Sequence, residues 1–370
     1  MARKIFKTIF INIAVFIMML MVLNITSVAI YQLNRLYKIT KMKIAGDLRV
    51  KLPVYKDFSW AKKHFKELGQ LKAEYKSYIG WRRLEFHGQT VNIGNDGLRF
   101  TPQSDLVSND SKLVIFTGGS AMWGTGSDDA NTIPAIFSKI SSGKYRTMNL
   151  GESSYRAFQE YLLLQLKFYE GFKPDVIVSY SGANEIDGLL AGLNPESHSR
   201  ESQIKQLLKN YDHRGPELLS FRNILIGPLE TFINRLKSRK LLYKYDLNYY
   251  RVEKVAKAFL NSWMSMKHLA DEKGAYFLAV LQPVATSTTL KQEHLEIEKN
   301  VIESYSSFYS MVLKLIKSPE YSELTDHFFD LSTFFNNDGD QFIDWCHTSP
   351  PGNEKVAKAI HDKILFLDSK

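Results

Sequence analysis

From Lys112 to the end of the chain, short apolar runs alternate with stretches of helical period, and this alternation constrains the fold more than any other feature. The runs at 113–116, 146–150, 176–180 and 276–281 are apolar, short and flanked by Gly, Pro or Asp. Near-continuous apolar strands suit a parallel sheet covered on both faces, where neither side of a strand meets water. Between them Ile133, Ile136, Phe137 and Ile140 recur at helical spacing, as do Tyr161, Leu164, Gln165 and Phe168. Near the end Val356, Ala357, Ile360 and Ile364 repeat the pattern. Pro350 and Pro351 stand where that last helix would begin, a position at which a missing N–H costs no hydrogen bond. The order predicts an α/β fold in three layers, α/β/α, with a central parallel sheet.

Ahead of this region no residue from about Thr8 to Ile30 is charged. A helix rises about 1.5 Å per residue, so about 20 residues cross a hydrocarbon core of about 30 Å, and the run meets that requirement. It reads as an uncleaved, single-pass signal anchor. Ser27-Val28-Ala29 keeps a cleaved signal peptide open as an alternative, although the run exceeds the usual signal core. A buried core helix is the third reading. Arg3, Lys4 and Lys7 precede the run while Arg35, Lys38, Lys41 and Lys43 follow it, so the charge bias that sets orientation is nearly balanced. The main domain is expected on the extracytoplasmic side.

The expected organisation is an anchor at 1–34, a stalk and lead-in at 35–105, and the main domain at 106–370. Within the lead-in, residues 80–83 and 91–99, the latter with Asn95-Asp96-Gly97 turn chemistry, suggest a short hairpin or extended entry. A basic, helix-prone insertion at about 194–250 carries Lys205, Arg214, Arg222, Arg235, Arg239 and Lys244. It reads as a lid, a membrane-facing patch or a plain solvated excursion.

Charge and cysteine content narrow the classes. The 370 residues carry a formal charge of +9, which suits anionic lipid, acidic polysaccharide or nucleic acid. The basic residues lack the interleaved aromatics of a single-strand platform, so no nucleic-acid partner is expected. One cysteine, Cys346, excludes an internal disulfide and a cysteine-based zinc site. No metal or organic cofactor is expected.

Four short segments carry candidate chemistry. After the first apolar run, Thr117-Gly118-Gly119-Ser120 is a tight turn exposing a hydroxyl where a strand's carboxyl end meets a helix. On α/β sheets nucleophiles sit there, because the helix N–H groups face a developing oxyanion. Taken alone, Gly-Gly-Ser also reads as a simple turn. Near the other end, Asp344 precedes His347 by three residues, close enough for a carboxylate to hold Nδ1–H while Nε2 removes a serine proton. The same pair could instead ligate a metal, although no HExxH pattern accompanies it. Gly151 and Asn184 each follow a strand and offer a backbone N–H and a side-chain amide, donors suited to an oxyanion hole.

In this order the four segments resemble the SGNH hydrolases, also called GDSL-like esterases, over about 112–361. The resemblance implies a flavodoxin-like domain in which Ser120 is the nucleophile, His347 the base and Asp344 its acid. It further implies Gly151, Asn184 and the Ser120 N–H as oxyanion donors. Two departures stand out: the usual Gly-Asp-Ser is Gly118-Gly119-Ser120, and the usual Gly-x-Asn-Asp is Gly182-Ala183-Asn184-Glu185. Neither removes a catalytic atom. The implied activity is acyl-ester hydrolysis on an acylated glycan or lipid of the cell envelope. An O-acyltransferase and a non-catalytic envelope component that has kept the fold are the alternatives.

Overall fold

The computed structural model describes residues 2–45, 47–190, 192–212, 249–288, 295, 297, 299–336 and 338–368. The chain divides into two compact units, Met1–Gly46 with Arg200–Tyr245, and Asp47–Ser199 with Asp246–Lys370. In the first unit, helix α1 spans Ala2–Ala45, and its Arg3–Leu23 stretch, with mean hydropathy 2.4 and no buried share, is long and apolar enough to cross a membrane. At about 1.5 Å per residue the whole helix is about twice as long as a hydrocarbon core is thick.

The second unit opens with two 3-10 turns, Leu48–Lys51 and Pro53–Tyr55, then α2 at Ala61–Leu68. Two short ribbons follow. Strands β1 (Ala73–Lys76) and β2 (Gly80–Arg83) pair with each other, as do β3 (Phe86–His87) and β4 (Asn92–Ile93), both antiparallel. Residues 80–83 therefore pair backward with 73–76, whereas 91–99 folds back on itself through an Ile93↔Arg99 bridge. The segment expected as stalk and lead-in is thus folded into the same unit as the sheet from Asp47 onward.

The main sheet is built from β5 (Lys112–Gly118), β6 (Tyr145–Asn149), β7 (Val176–Ser181), β8 (Tyr276–Leu281) and β9 (Phe328–Asp330). The helices are α3 (Ser120–Trp123), α4 (Ile133–Ile140), α5 (Ala157–Tyr169), α6 (Ala183–Leu190), α7 (Glu201–Asp212), α8 (Tyr249–Glu272), α9 (Lys299–Leu315) and α10 (Pro350–Asp368). Strand order is β6-β5-β7-β8-β9 and every pairing is parallel. This is the flavodoxin-like order, second-first-third-fourth-fifth, as expected for the α/β class.

Successive side chains of a strand face opposite ways, and the core divides accordingly. Val176, Val178 and Tyr180 of β7 join Ile136 and Phe137 of α4 and Val356 and Ile360 of α10 in one buried layer. Ile177 points into the other, among Leu164 of α5, Phe259 and Trp263 of α8 and Phe308 of α9. Both faces being covered explains why the strands carry no polar alternation. β9 was not anticipated: three half-exposed or exposed residues leave no periodic signal to read. Of the expected insertion, α7 and the start of α8 are described, while residues 213–248, and the lid or patch reading that rests on them, lie outside the described residues.

The lead-in is fastened at the sheet's carboxyl end. Arg99, 2% exposed, donates from Nη1 to the Trp123 and Gly124 carbonyls at 2.9 and 2.7 Å and from Nη2 to the Ser127 carbonyl at 2.6 Å. Its Nε donates to Asp129 at 3.0 Å. The last carbonyls of so short a helix as α3 have few partners of their own, and the guanidinium supplies them. An Arg99↔Asn149 bridge ties the same residue to the end of β6.

Beneath that end lies a buried acid. Burial pushes the Glu160 carboxyl up to about 8 against three hydroxyls that stabilise its charge, those of Ser181, Ser179 (2.8 Å) and Thr117 (3.1 Å). Trp263 Nε1 donates to the Ser179 hydroxyl at 2.9 Å, closing a polar nest under β5 and β7. An acid whose folded pKa stands above its usual 4.5 keeps its proton after the unfolded chain has released it. Its favourable contribution is therefore present below about 4.5 and is lost as pH rises toward about 8. Glu160→Gln should gain stability over the native chain as pH rises through this window, by on the order of 1 kcal/mol per pH unit. Urea melts at pH 5, 7 and 9 measure the difference, and a gap that does not change with pH would refute a buried neutral acid.

Candidate active site

Ser120 is the first residue of α3, immediately beyond β5, and Asn184 lies in the first turn of α6, immediately beyond β7. β5 and β7 are neighbours in the sheet although β6 separates them in sequence, so the two residues flank the point where the strand order reverses. Connections leaving that point in opposite directions open a crevice at the carboxyl edge, where open α/β sheets bind ligands.

The third strand end, at Asn149-Leu150-Gly151, lies on the other side of β5. His347 arrives from a loop just ahead of α10, 227 positions after Ser120. That loop is closed by the Ile343 N–H donating to the His347 carbonyl at 2.9 Å and by an antiparallel bridge between Phe342 and Thr348.

Within this loop Asp344 Oδ1 accepts the N–H groups of Cys346 (3.1 Å) and His347 (2.9 Å), a local turn that an aspartate's short side chain favours. The carboxylate is thereby aimed, and its Oδ2 lies 2.7 Å from His347 Nδ1. With Nδ1–H donating to the acid, Nε2 is the acceptor, and it receives the Ser120 hydroxyl at 2.7 Å. Burial alone would push the Asp344 carboxyl up, but the facing imidazole and the two backbone donors hold it down at about 2. It is a carboxylate at any physiological pH. Acid, imidazole and hydroxyl thus form one continuous chain of hydrogen bonds.

The three expected oxyanion donors are differently disposed. The Ser120 N–H opens α3, a position with no partner inside the helix. Asn184 Nδ2 uses one hydrogen on the Tyr155 carbonyl at 2.7 Å, which orients the amide and leaves the second hydrogen for another acceptor. Gly151, by contrast, donates its N–H to Asn149 Oδ1 at 2.9 Å. Asn149, 1% exposed, also donates to the Met122 and Trp123 carbonyls, so it joins the β6 end to the helix that carries Ser120. In sequence Asn149 reads only as a strand terminus; nothing in its neighbours signals that it would bond across to α3.

The glycines around Ser120 mark close approaches. A Cβ on Gly119 would fall on Asn184 Nδ2, and one on Gly118 would come within 2.6 Å of the Tyr180 carbonyl. Gly-Gly-Ser in place of Gly-Asp-Ser therefore has a local reason: the amide of Asn184 occupies the space a side chain at 119 would need.

Other groups frame the site. Desolvation pushes the Asp187 carboxyl, one turn along α6 from Asn184, up to about 6 while the His347 imidazole pulls the other way. Cys346 Sγ lies 3.6 Å from His347 Nδ1, and burial pushes its pKa well up, which favours the neutral thiol over the thiolate. Donor atoms of Asp344, Cys346 and His347 lie within 4.8 Å of one another, a spacing that could take a metal ion. Both ring nitrogens of His347 are, however, already engaged, by Asp344 and by Ser120. Trp123 is fully buried, with the Arg99 guanidinium 4.4 Å above its ring, and Trp345 packs on Tyr305 with centroids 5.0 Å apart.

No family model and no curated protein matches this chain. Among solved structures it is similar to a carbohydrate acetylesterase family member from Sinorhizobium meliloti, at 14% identity and TM-score 0.35, covering 68% of this chain and 97% of the other. A putative lipolytic protein of the G-D-S-L family from Desulfitobacterium hafniense is similar at 12% and 0.38, covering 68% and 99%. A putative arylesterase from Agrobacterium tumefaciens is similar at 13% and 0.38, covering 68% and 98%. Likeness at this level carries no chemistry to the present chain, whose fold rests on its own sheet order.

With Asn184 as the expected oxyanion donor, Gly119→Ala should displace its amide and lower kcat on a short acyl ester about a hundredfold, since losing one such donor costs about 3 kcal/mol. KM and thermal stability should move little. A variant with native kcat would break the link between positions 119 and 184.

Proposed function

We propose that this protein is a membrane-anchored serine esterase of the SGNH type, and the observation that carries the reading is the unbroken bond chain Asp344–His347–Ser120. Both of its key contacts are 2.7 Å, and the hydroxyl stands at the crevice where the strand order reverses. In the proposed reaction Ser120 Oγ attacks the ester carbonyl as His347 Nε2 takes its proton. Asp344 stabilises the imidazolium that forms. The carbonyl oxygen, now negative, is met by the Ser120 N–H and the free hydrogen of Asn184 Nδ2. The Gly151 N–H is taken by Asn149 Oδ1, so this scheme rests on the other two donors. His347 then protonates the leaving alkoxide, which departs as the alcohol, and water attacks the acyl-serine by the same route in reverse.

The proposed substrate is an acyl ester, such as an O-acetyl group, carried on a cell-envelope glycan or lipid. Ser120, Asn184, Asp344 and His347 are all only partly buried, with 29% of the Asp344 side chain and 15% of the His347 side chain exposed. A site this open suits a small acyl group projecting from a large carrier. The basic chain, at +9, suits an acidic polymer or an anionic surface. Anchoring through α1, with the catalytic unit on the extracytoplasmic side, would keep the enzyme among such polymers.

Ser120→Ala should fold normally and lose at least about a thousandfold of its rate on p-nitrophenyl acetate, the scale on which a nucleophile's removal acts in serine hydrolases. A fluorophosphonate probe should label the native chain and leave Ser120→Ala unlabelled. Equal labelling or turnover in the two proteins would remove Ser120 as the nucleophile.

A further inference from the structure

The 3-10 turn that begins three positions after the end of α1 reaches the acid of the proposed triad. Asp47 caps this turn, Oδ1 accepting the Arg49 N–H at 3.0 Å. The same carboxylate grips the Arg49 guanidinium at two points, Nε at 3.0 Å and Nη2 at 2.8 Å, a fork that suits arginine and not lysine. Phe65 lies against the guanidinium, its ring centroid 4.6 Å from Cζ. Fixed on these sides, Nη1 stands 3.9 Å from Asp344 Oδ2, the slightly nearer of the two carboxylate oxygens to His347 Nδ1. That distance is a charge contact and not a hydrogen bond.

Packing joins the same two segments. Ile343, next to Asp344, shares one buried cluster with Tyr55, Ala61 and Phe65, and the Tyr55 hydroxyl donates to the Gly126 carbonyl at 2.6 Å. Gly126 lies in the loop that follows α3, so the turn after α1 and its neighbours touch both the acid loop and the nucleophile loop.

We propose that Arg49 is a positioning residue of this site: clamped by Asp47, its guanidinium steers the Asp344 carboxylate and moderates the negative charge presented to His347. The catalytic consequence rests on the esterase reading, whereas the effect on the Asp344–His347 bond does not. Arg49 Nη1 is no more than about 7 Å from His347 Nδ1. Besides Asp344, the groups that face His347 are the Cys346 thiol and Asp187 from α6, while Asp47, Tyr55 and Tyr305 stand around Asp344 and Arg49. His64, fully buried, lies behind Asp47. Removing the Arg49 cation favours the protonated dyad. The acid limb of the kcat/KM profile should then move to higher pH, by about half a unit for one charge at such a distance in water-like surroundings.

The test uses the full chain in detergent, with Arg49→Gln and Arg49→Lys. Arg49→Gln should lose about tenfold in kcat with KM nearly unchanged, as a mis-set dyad does. Its acid limb should rise. Arg49→Lys keeps the charge and should restore the limb while kcat stays low, because the fork is gone. The low-field proton NMR signal of the His347–Asp344 bond, which needs no substrate, should shift or broaden in Arg49→Gln. A folded Arg49→Gln with native kcat, limb and low-field signal overturns the proposal. Should that variant not fold, Arg49→Lys decides: a kcat lowered about tenfold with a native acid limb supports the role, and an unchanged kcat overturns it. A native chain that neither turns over esters nor labels at Ser120 overturns the esterase reading alone, and the low-field signal then decides the role of Arg49.

Discussion

An imidazole and a hydroxyl 227 positions apart have to meet at hydrogen-bonding distance, and the sheet is what brings them together. Because β5 is flanked by β6 on one side and β7 on the other, the chain leaves β5 and β7 in diverging directions and cannot fill the gap between them. Ser120 and Asn184 stand on the two rims of that gap, and the loop carrying His347 closes over it. The remaining features can be understood as devices that hold this meeting steady. Asp344 is tied to its own loop by two backbone donors, α3 is held by Arg99, and the β6 end is tied to α3 through Asn149.

The polar groups beneath and beside the site are as ordered as those in it. Glu160 gathers hydroxyls from Thr117 on β5 and from Ser179 and Ser181 on β7, linking the two strands whose ends carry Ser120 and Asn184. Buried polar nests of this kind are costly unless satisfied, and once satisfied they fix one arrangement of the elements around them. The Asn184 amide against Gly119 works at closer range, coupling the two halves of the crevice through van der Waals contact.

Much of this could be read from the residues in order. The four long strands were legible because burial on both faces leaves unbroken apolar runs, and Ser120 and the Asp344–His347 pair were legible because each is a local pattern beside such a run or helix. β9 was not, since Phe328–Asp330 is too short and too exposed to repeat anything. The partners of Arg99, Asn149 and Arg49 were hidden for a different reason. Each makes its decisive contacts with residues distant in sequence, from 24 to 28 positions for the Arg99 bonds to α3 and beyond, and no local spacing announces a guanidinium's destination. Gly151 shows the converse: its position was legible, whereas the bond that occupies its N–H depends on a side-chain orientation only the folded strand end fixes.

The fork between Asp47 and Arg49 has a consequence for where the proposed enzyme can be cut from its proposed anchor. Helix α1 ends at Ala45 and the fork begins at Asp47, so one residue separates them in sequence. A cut ahead of Asp47 would leave the Asp47–Arg49 fork beside Asp344, whereas a cut after Arg49 would remove it. On the role proposed for Arg49, a few peptide bonds thus separate a fragment that keeps its full rate from one slowed by about the tenfold expected of Arg49→Gln.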